Sequence, residues 1–446
     1  MKKTYWYLLA VMLLSACGSS SSEATSSLEN PSSGTSTSID DPLITTAAEL
    51  AAIANDLDGD YELGADIALE EDWTPIGFLG APFTGTLNGN DFKITGLSFD
   101  TENLVYDIEQ TIDGEVTINE AYEYIGLFGV NEGTITDLVL EDASIIGPLA
   151  EYDGETVISD SKIYVGSLVG KNYGSLVNVK ATGVINVTAT VSGLKVGGLV
   201  GMSEGGDIYN AESSVDINAA SGNKVVAGGI IGEVEGADTD LDMFKATGDV
   251  TAVMNGSEAI EEQAYAGGVL GLMQGGTLND AYASGAISST ISGAKPAYAG
   301  GLIAAYDASD FDMAVQDVYA SGTVSATSST ETKVYAGGVL GRYEDKEAGH
   351  VVSLTNALSS SEVTGSTLSG TKAYVNALIG LCDVTGSTIA NSYYAGTAMM
   401  LSGKSNGTGV YGTATDMNTI TVADMGWNAD CWFIDSGVVT LALPIE

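Results

Sequence analysis

Positive charge is scarce in this chain. Its 446 residues carry 15 Lys and Arg against 59 Asp and Glu, a formal net charge of −44. There is one histidine, His350, and one arginine, Arg342. Phosphate-binding surfaces need clustered Lys and Arg, so nucleic acid and anionic lipid headgroups are not expected as partners. Catalytic sites built on several histidines or arginines are excluded by the same counts. Cysteine numbers only 3, with no Cys-x-x-Cys pair and no His/Cys cluster of the kind zinc requires. There is no P-loop. Carboxylate pairs carry no information here, because among 59 acidic residues some will be neighbours by chance. No catalysis and no obligatory cofactor are expected.

Apolar residues and glycine are abundant. Hydrophobic residues make up 44% of the chain, enough for a large core, and Gly is 57 residues against 7 Pro. That combination suggests many tight turns between short strands. At the N-terminus, Lys2 and Lys3 precede an apolar run, Trp6 to Leu14, too short to span a bilayer. Leu14-Ser15-Ala16-Cys17 then resembles the lipobox of bacterial lipoproteins, which implies cleavage before Cys17 and lipidation, including palmitate, at its thiol. Two or more acyl chains suffice for stable anchoring. Gly18 to Asp40 is Ser/Thr-rich and cannot bury a core, so it reads as a tether reaching about 26 Å. By resemblance to Gram-negative lipoprotein sorting, Gly18 after the cysteine permits delivery to the outer membrane. The expected location is therefore the cell outer membrane, lipid-anchored and surface-exposed, with the membrane contacted through that lipid.

Internal repetition dominates the remainder. A cassette of the form Gly-Leu-Val-Gly starts at residues 126, 167, 198, 229, 268, 301, 338 and 377, with departures from the bracketing glycines at Ser167, Ala304 and Ala377. Five copies have a tyrosine three residues earlier: Tyr164, Tyr265, Tyr298, Tyr335 and Tyr374. Downstream of the cassette an Asx residue precedes a period-2 stretch, as at Asn178, Asn210, Asp280, Asp317, Asn356 and Asn391. The cassette and its companion resemble the GLUG motif of bacterial surface proteins. The segment from Ala48 to Asn90 resembles the leader that commonly precedes such repeats. The resemblance implies a right-handed parallel β-helix and an adhesin-like surface role, and it implies no catalytic residues.

Physical reasoning gives the same fold. Units of 31 to 41 residues with short strands and no helical period cannot each bury a core, but stacked coils share one. The expected fold is all-β: a right-handed parallel β-helix of about eight GLUG-type repeats with an N-terminal capping helix. An antiparallel sandwich or propeller is the rival. The expected organisation is a lipoprotein signal peptide over 1–16, lipidated cysteine and tether over 17–44, cap helix and first coils over 45–122, repeats over 123–403 and a C-terminal cap over 404–446. Thr46-x-x-Glu49 is a capping-box pattern opening a helix over 47–56. Trp427 to Leu443 is expected to close the far end. Ten rungs give a rod about 45 to 50 Å long, expected to be monomeric.

The candidate sites are few. Cys382 and Cys431 either form a disulfide tying the last coil to the C-terminal cap or remain buried thiols. Asp238, Asp240 and Asp242 alternate, so a strand places all three on one face, where calcium is the candidate counter-ion. The recurrent tyrosines stack as a ladder, outward as a glycan platform or inward as core. Acidic insertions at 151–160, 258–262 and 344–347 project as loops. The expected partner is a cell-surface glycan or protein. The alternative is a polysaccharide-binding or polysaccharide-cleaving component of a surface nutrient-uptake system.

Overall fold

The computed structural model describes residues 43–101, 109–112, 115–118, 124–149, 162–190, 193–236, 239–256, 263–307, 312–330, 332–344, 352–368, 373–382, 388–402, 413–429 and 431–442. The signal segment, Cys17 and most of the tether lie outside these residues. So do Asp238, His350 and most of the acidic insertions.

The chain is a parallel β-helix. Each cassette sits at a corner between two short strands, as between Ala264–Gly267 and Leu270–Gln274. The strand before the cassette stacks on its equivalents to make one eight-stranded sheet, and the strand after it makes a second. Every pairing in both sheets is parallel, so eight cassettes become eight rungs. The Asx-bearing segments build a third, longer sheet, also parallel within the repeats. Inward side chains of all three merge into one core running from Ile44 to Ile379.

The cassette glycines serve close approach. None of the positive-φ residues falls within a cassette. Instead, a Cβ at Gly229 would lie 2.0 Å from the Gly268 carbonyl oxygen, and one at Gly268 would lie 2.0 Å from that of Gly301. Each such Cβ would strike the next coil, so these corners favour glycine; in the second copy Ser167 holds the place, its hydroxyl donating to the Gly198 carbonyl. Ala377 departs from the pattern in the last copy. It supplies the oxygen that a Cβ at Gly338 would meet, and no ninth cassette follows to meet its own methyl.

At the N-terminal end, Ala47–Ala52 forms a helix continued by a 3₁₀ turn, Ile53–Asn55. The Thr46 hydroxyl accepts from the Glu49 N–H at 3.2 Å. The expected reciprocal bond shifts by one residue, with the Glu49 carboxylate accepting from the N–H and hydroxyl of Thr45. Leu50 and Ile53 are fully buried, so the helix packs onto the first coils as expected.

The C-terminal segment does not behave as an end cap. Its short helix, Val422–Met425, and its antiparallel hairpin, Trp432–Asp435 with Val438–Leu441, lie along the side of the rod. There Trp427, Trp432 and Leu441 pack against Tyr319 and Leu358, with Tyr282 and Tyr393 alongside. The expectation of an end plug fails because these outward apolar side chains offer the tryptophans a larger lateral seat.

Candidate binding surface

The five recurrent tyrosines point away from the central core yet are buried. Their register forms one column, Tyr124, Tyr164, Lys195, Val226, Tyr265, Tyr298, Tyr335 and Tyr374. The next sheet presents Met202, Glu233, Leu272, Ala305, Arg342 and Leu381 in register. The two columns close on each other across the cassette corner. The tyrosines retain between 1% and 7% exposure. Their rings stack face to face, at 4.5 Å for Tyr265 on Tyr298, 5.2 Å for Tyr298 on Tyr335 and 4.9 Å for Tyr335 on Tyr374. Ring faces occupied by one another are closed to a sugar, so of the two alternatives for Tyr164, Tyr265, Tyr298, Tyr335 and Tyr374 the buried arrangement fits the stack, as a satellite core outside the central one.

Where the column lacks tyrosine it carries a buried ion pair. Lys195 Nζ lies 2.9 Å from Glu233 Oε2, and both side chains are nearly inaccessible. Burial alone would raise the Glu233 carboxyl, but Lys195, Lys224 and Lys162 together hold it below its ordinary value. Burial lowers Lys195, with Glu233 opposing. Lys195 also lies 5.1 Å over the Tyr164 ring and Arg342 4.7 Å over Tyr335, so cations cap the aromatic stacks.

A partly open surface lies at a different corner, where Asp137 and Asn178 are half-buried and Asn210 is buried. Asp137, Asn178, Asn210, Asp280, Asp317, Asn356 and Asn391 all have left-handed backbone, with φ between 46° and 55°. They form one column along the rod, broken by Met243 at φ 62°. Asx residues tolerate this conformation because their short polar side chains bond locally. Here they bond along the rod: Asn178 Nδ2 donates to Asp137 Oδ1 at 2.7 Å, and Asn210 Nδ2 to Asn178 Oδ1 at 2.8 Å. Further along, Asn356 donates to Asp317 at 2.7 Å and Asn391 to Asn356 at 3.2 Å. Sequence reading located the Asx position but not the ladder, since register is what aligns it.

Two residues beyond each Asx runs a second outward column: Val139, Lys180, Glu212, Lys245, Tyr282, Tyr319, Leu358 and Tyr393. Its chemistry changes halfway. In the first half Glu212 is gripped by Lys180 at 3.1 Å and Lys245 at 3.2 Å. Beside these lies a groove of about 840 Å³, lined by Asn88, Asn90, Asp137, Asn178 and Asn210 and ended by Thr440 to Ala442 of the hairpin. Such a polar trough offers amides, carboxylates and ammonium groups to a hydroxyl-rich chain. In the second half the column is aromatic, and the C-terminal segment covers it.

Under that cover the ladder is acidic. Trp432 Nε1 donates to Asp280 Oδ1 at 2.6 Å, and Trp427 Nε1 to the Asn356 carbonyl at 2.7 Å. Burial pushes Asp280 up to about 7; the Trp432 bond opposes this, and Asp242 and Asp317 add to it. Burial and then the charge of Asp240 push Asp242 up to about 6. Burial raises Asp317 as well, against the bond from Asn356.

Asp240 and Asp242 share the outward face of their strand, and Thr277 Oγ1 donates to Asp240 at 2.5 Å. Among the described residues no group of three His, Cys, Asp or Glu side chains is placed to hold a metal ion. Of the alternatives for Cys382 and Cys431, the disulfide between the two is not formed. Cys382 is a thiol at the end of the eighth post-cassette strand. Cys431 lies in the lateral tryptophan cluster, on the face formed by the Asx sheet. The disulfide alternative presumed an end cap over the last coil, and the segment docks laterally instead. No helix among the described residues is long and apolar enough to cross a membrane.

No family model matches the chain. A "Putative Gly-rich membrane protein" of Evansella cellulosilytica is 34% identical over 148 residues, which are 31% of this chain. The match spans 14% of that relative's length. Among solved structures, that of a "putative immunoglobulin A1 protease" from Bacteroides ovatus aligns over 90% of this chain and 92% of its own, at 15% identity and a TM-score of 0.39. Another, "IgA1 Protease", aligns over 80% of this chain and 22% of its own, at 18% identity and a TM-score of 0.41. Likeness at this level does not bear on activity.

Proposed function

We propose that this chain is a lipid-anchored, non-catalytic rod of the bacterial cell surface, GLUG-like in its repeats, that binds an extended glycan in an adhesin-like role. The observation carrying this reading is the Asx ladder beside the open groove. It sets amide and carboxylate groups in one line, at one rung every ~4.8 Å, close to the advance per residue of an extended pyranose chain. Repeated, shallow, polar contacts suit a repetitive polymer better than a compact small molecule. The lipobox-like sequence and the Ser/Thr-rich tether support a position where such a rod would meet surface glycans.

The second reading is capture of polysaccharide for a nutrient-uptake system, favoured by the same amide lining. A glycan array probed with residues 18–446, with calcium and again with chelator, tests both. Hits among host or biofilm glycans support adhesion, and hits confined to storage or plant-wall polysaccharides support capture. A blank array in both conditions would reject both. Release of reducing ends from any bound polysaccharide would overturn the non-catalytic assignment.

A further inference from the structure

The ladder does not stop where the groove stops. The same left-handed column continues through Asp280, Asp317, Asn356 and Asn391 beneath the C-terminal segment, and its companion column there is Tyr282, Tyr319, Leu358 and Tyr393. Aromatic side chains flanked by carboxylate and amide groups are what a pyranose ring needs, an apolar face to cover and hydroxyls to bond. Tyr282 and Tyr319 are tilted at 44° with centroids 5.6 Å apart, so they are not locked face to face like the buried stack.

We propose that this covered half is a second stretch of glycan-binding surface, aromatic where the open half is charged, and that the C-terminal hairpin is its pH-operated cover. The proposal rests on reading the ladder as a glycan surface and extends it to the aromatic half.

The cover is held by groups that resist ionisation. Trp432 meets Asp280 in a buried bond, and the neighbours facing Asp280 are Asp242 on one side and Asp317 on the other. The remaining titratable neighbours are Tyr282 and Tyr319 on the rod. Lys245, the cation next in the companion column, is held by Glu212. The exposed carboxylates of the segment turn to their own chain: Asp416 accepts from Asn418, Asp424 from Thr421 and Asp435 from Ser436. Among the described residues no lysine or arginine forms an ion pair with the Asp242, Asp280 and Asp317 run.

The sign follows. A carboxyl raised in the docked state contributes its full stabilisation below its free value, near 4, and loses it as pH rises through the docked value, about 7. The hairpin is therefore held most firmly in acid and released as pH climbs through neutrality.

The test is hydrogen exchange of residues 431–442 in the mature full-length chain from pH 5 to pH 8, corrected for intrinsic rates. It is paired with binding of cellohexaose, xylohexaose and mannohexaose at both ends of the range. Protection of the hairpin should fall at least about tenfold by pH 8. Asp280→Asn, which cannot ionise, should keep it protected. At least one hexaose should bind at least about tenfold more tightly at pH 8, and Tyr319→Ala should remove that gain. Circular dichroism confirms that each variant keeps its β-structure. PH-independent protection, equal loss in Asp280→Asn, or a gain that survives Tyr319→Ala would overturn the inference. Binding unchanged between pH 5 and pH 8 would overturn it while leaving the open groove standing. Binding at pH 8 alone would support it and discard the open groove.

Discussion

Met243 stands where every other described coil from the second cassette to the last has Asn or Asp, in the left-handed region at φ 62° and fully buried. An unbranched apolar side chain gains nothing local there, and the conformation costs roughly 1–2 kcal/mol. Met243→Asn should recover about 1 kcal/mol of backbone cost but lose about 1.5–3 kcal/mol of apolar burial, so a slightly lowered denaturant midpoint with an unchanged m-value is expected. The cassette glycines give a second test. Gly268→Ala drives a methyl into the Gly301 carbonyl and is expected to cost about 2–3 kcal/mol, whereas Ala377→Gly should stay within about 0.5 kcal/mol. At this scale the sequence was legible as to which positions mattered and less so as to why. Glycine at a corner suits either positive φ or close approach, and only stacking distances decide between them. Met243 escaped notice because a search for Asx passes over the coil that lacks it.

The strands, corners and N-terminal helix were readable because their signals are local: period-2 patterning, bracketing glycines and a threonine cap. The lateral docking of the C-terminal segment was not. Its signal is the change in the companion column from Lys180, Glu212 and Lys245 to Tyr282, Tyr319 and Leu358, which are scattered through the sequence and align only once the register is known. The tyrosine direction was equally hidden, since both parities of its strand are apolar and the facing column comes from beyond the corner. That facing column makes an element-level prediction. Lys195→Met should cost about 3–5 kcal/mol by leaving Glu233 as an uncompensated buried charge, while Lys195→Met with Glu233→Leu should recover most of it. Chemical denaturation of the two variants and the parent separates these outcomes.

As a whole the molecule is a strongly acidic rod whose sheet edges are hidden by stacking and whose long sides differ. One side is sealed by stacked tyrosines and capped by cations. Another carries the Asx ladder, half open and half covered. The acidic excess keeps such rods apart in solution, so a monomer is expected by light scattering at moderate ionic strength. Charge and repetition were visible in the sequence, but the groove was not, because it is bounded by segments from opposite ends of the chain, Asn88 and Asn90 at one and Thr440 to Ala442 at the other. The direct test of glycan binding by the ladder is affinity for an array-positive glycan in the mature chain against an Asn178→Gly, Asn210→Gly variant, in which glycine keeps the left-handed backbone and removes the amides. The prediction is at least about a tenfold loss of affinity with the β-helix intact, each lost amide contact contributing about 1 kcal/mol. Unchanged affinity in the glycine variant would contradict the central claim.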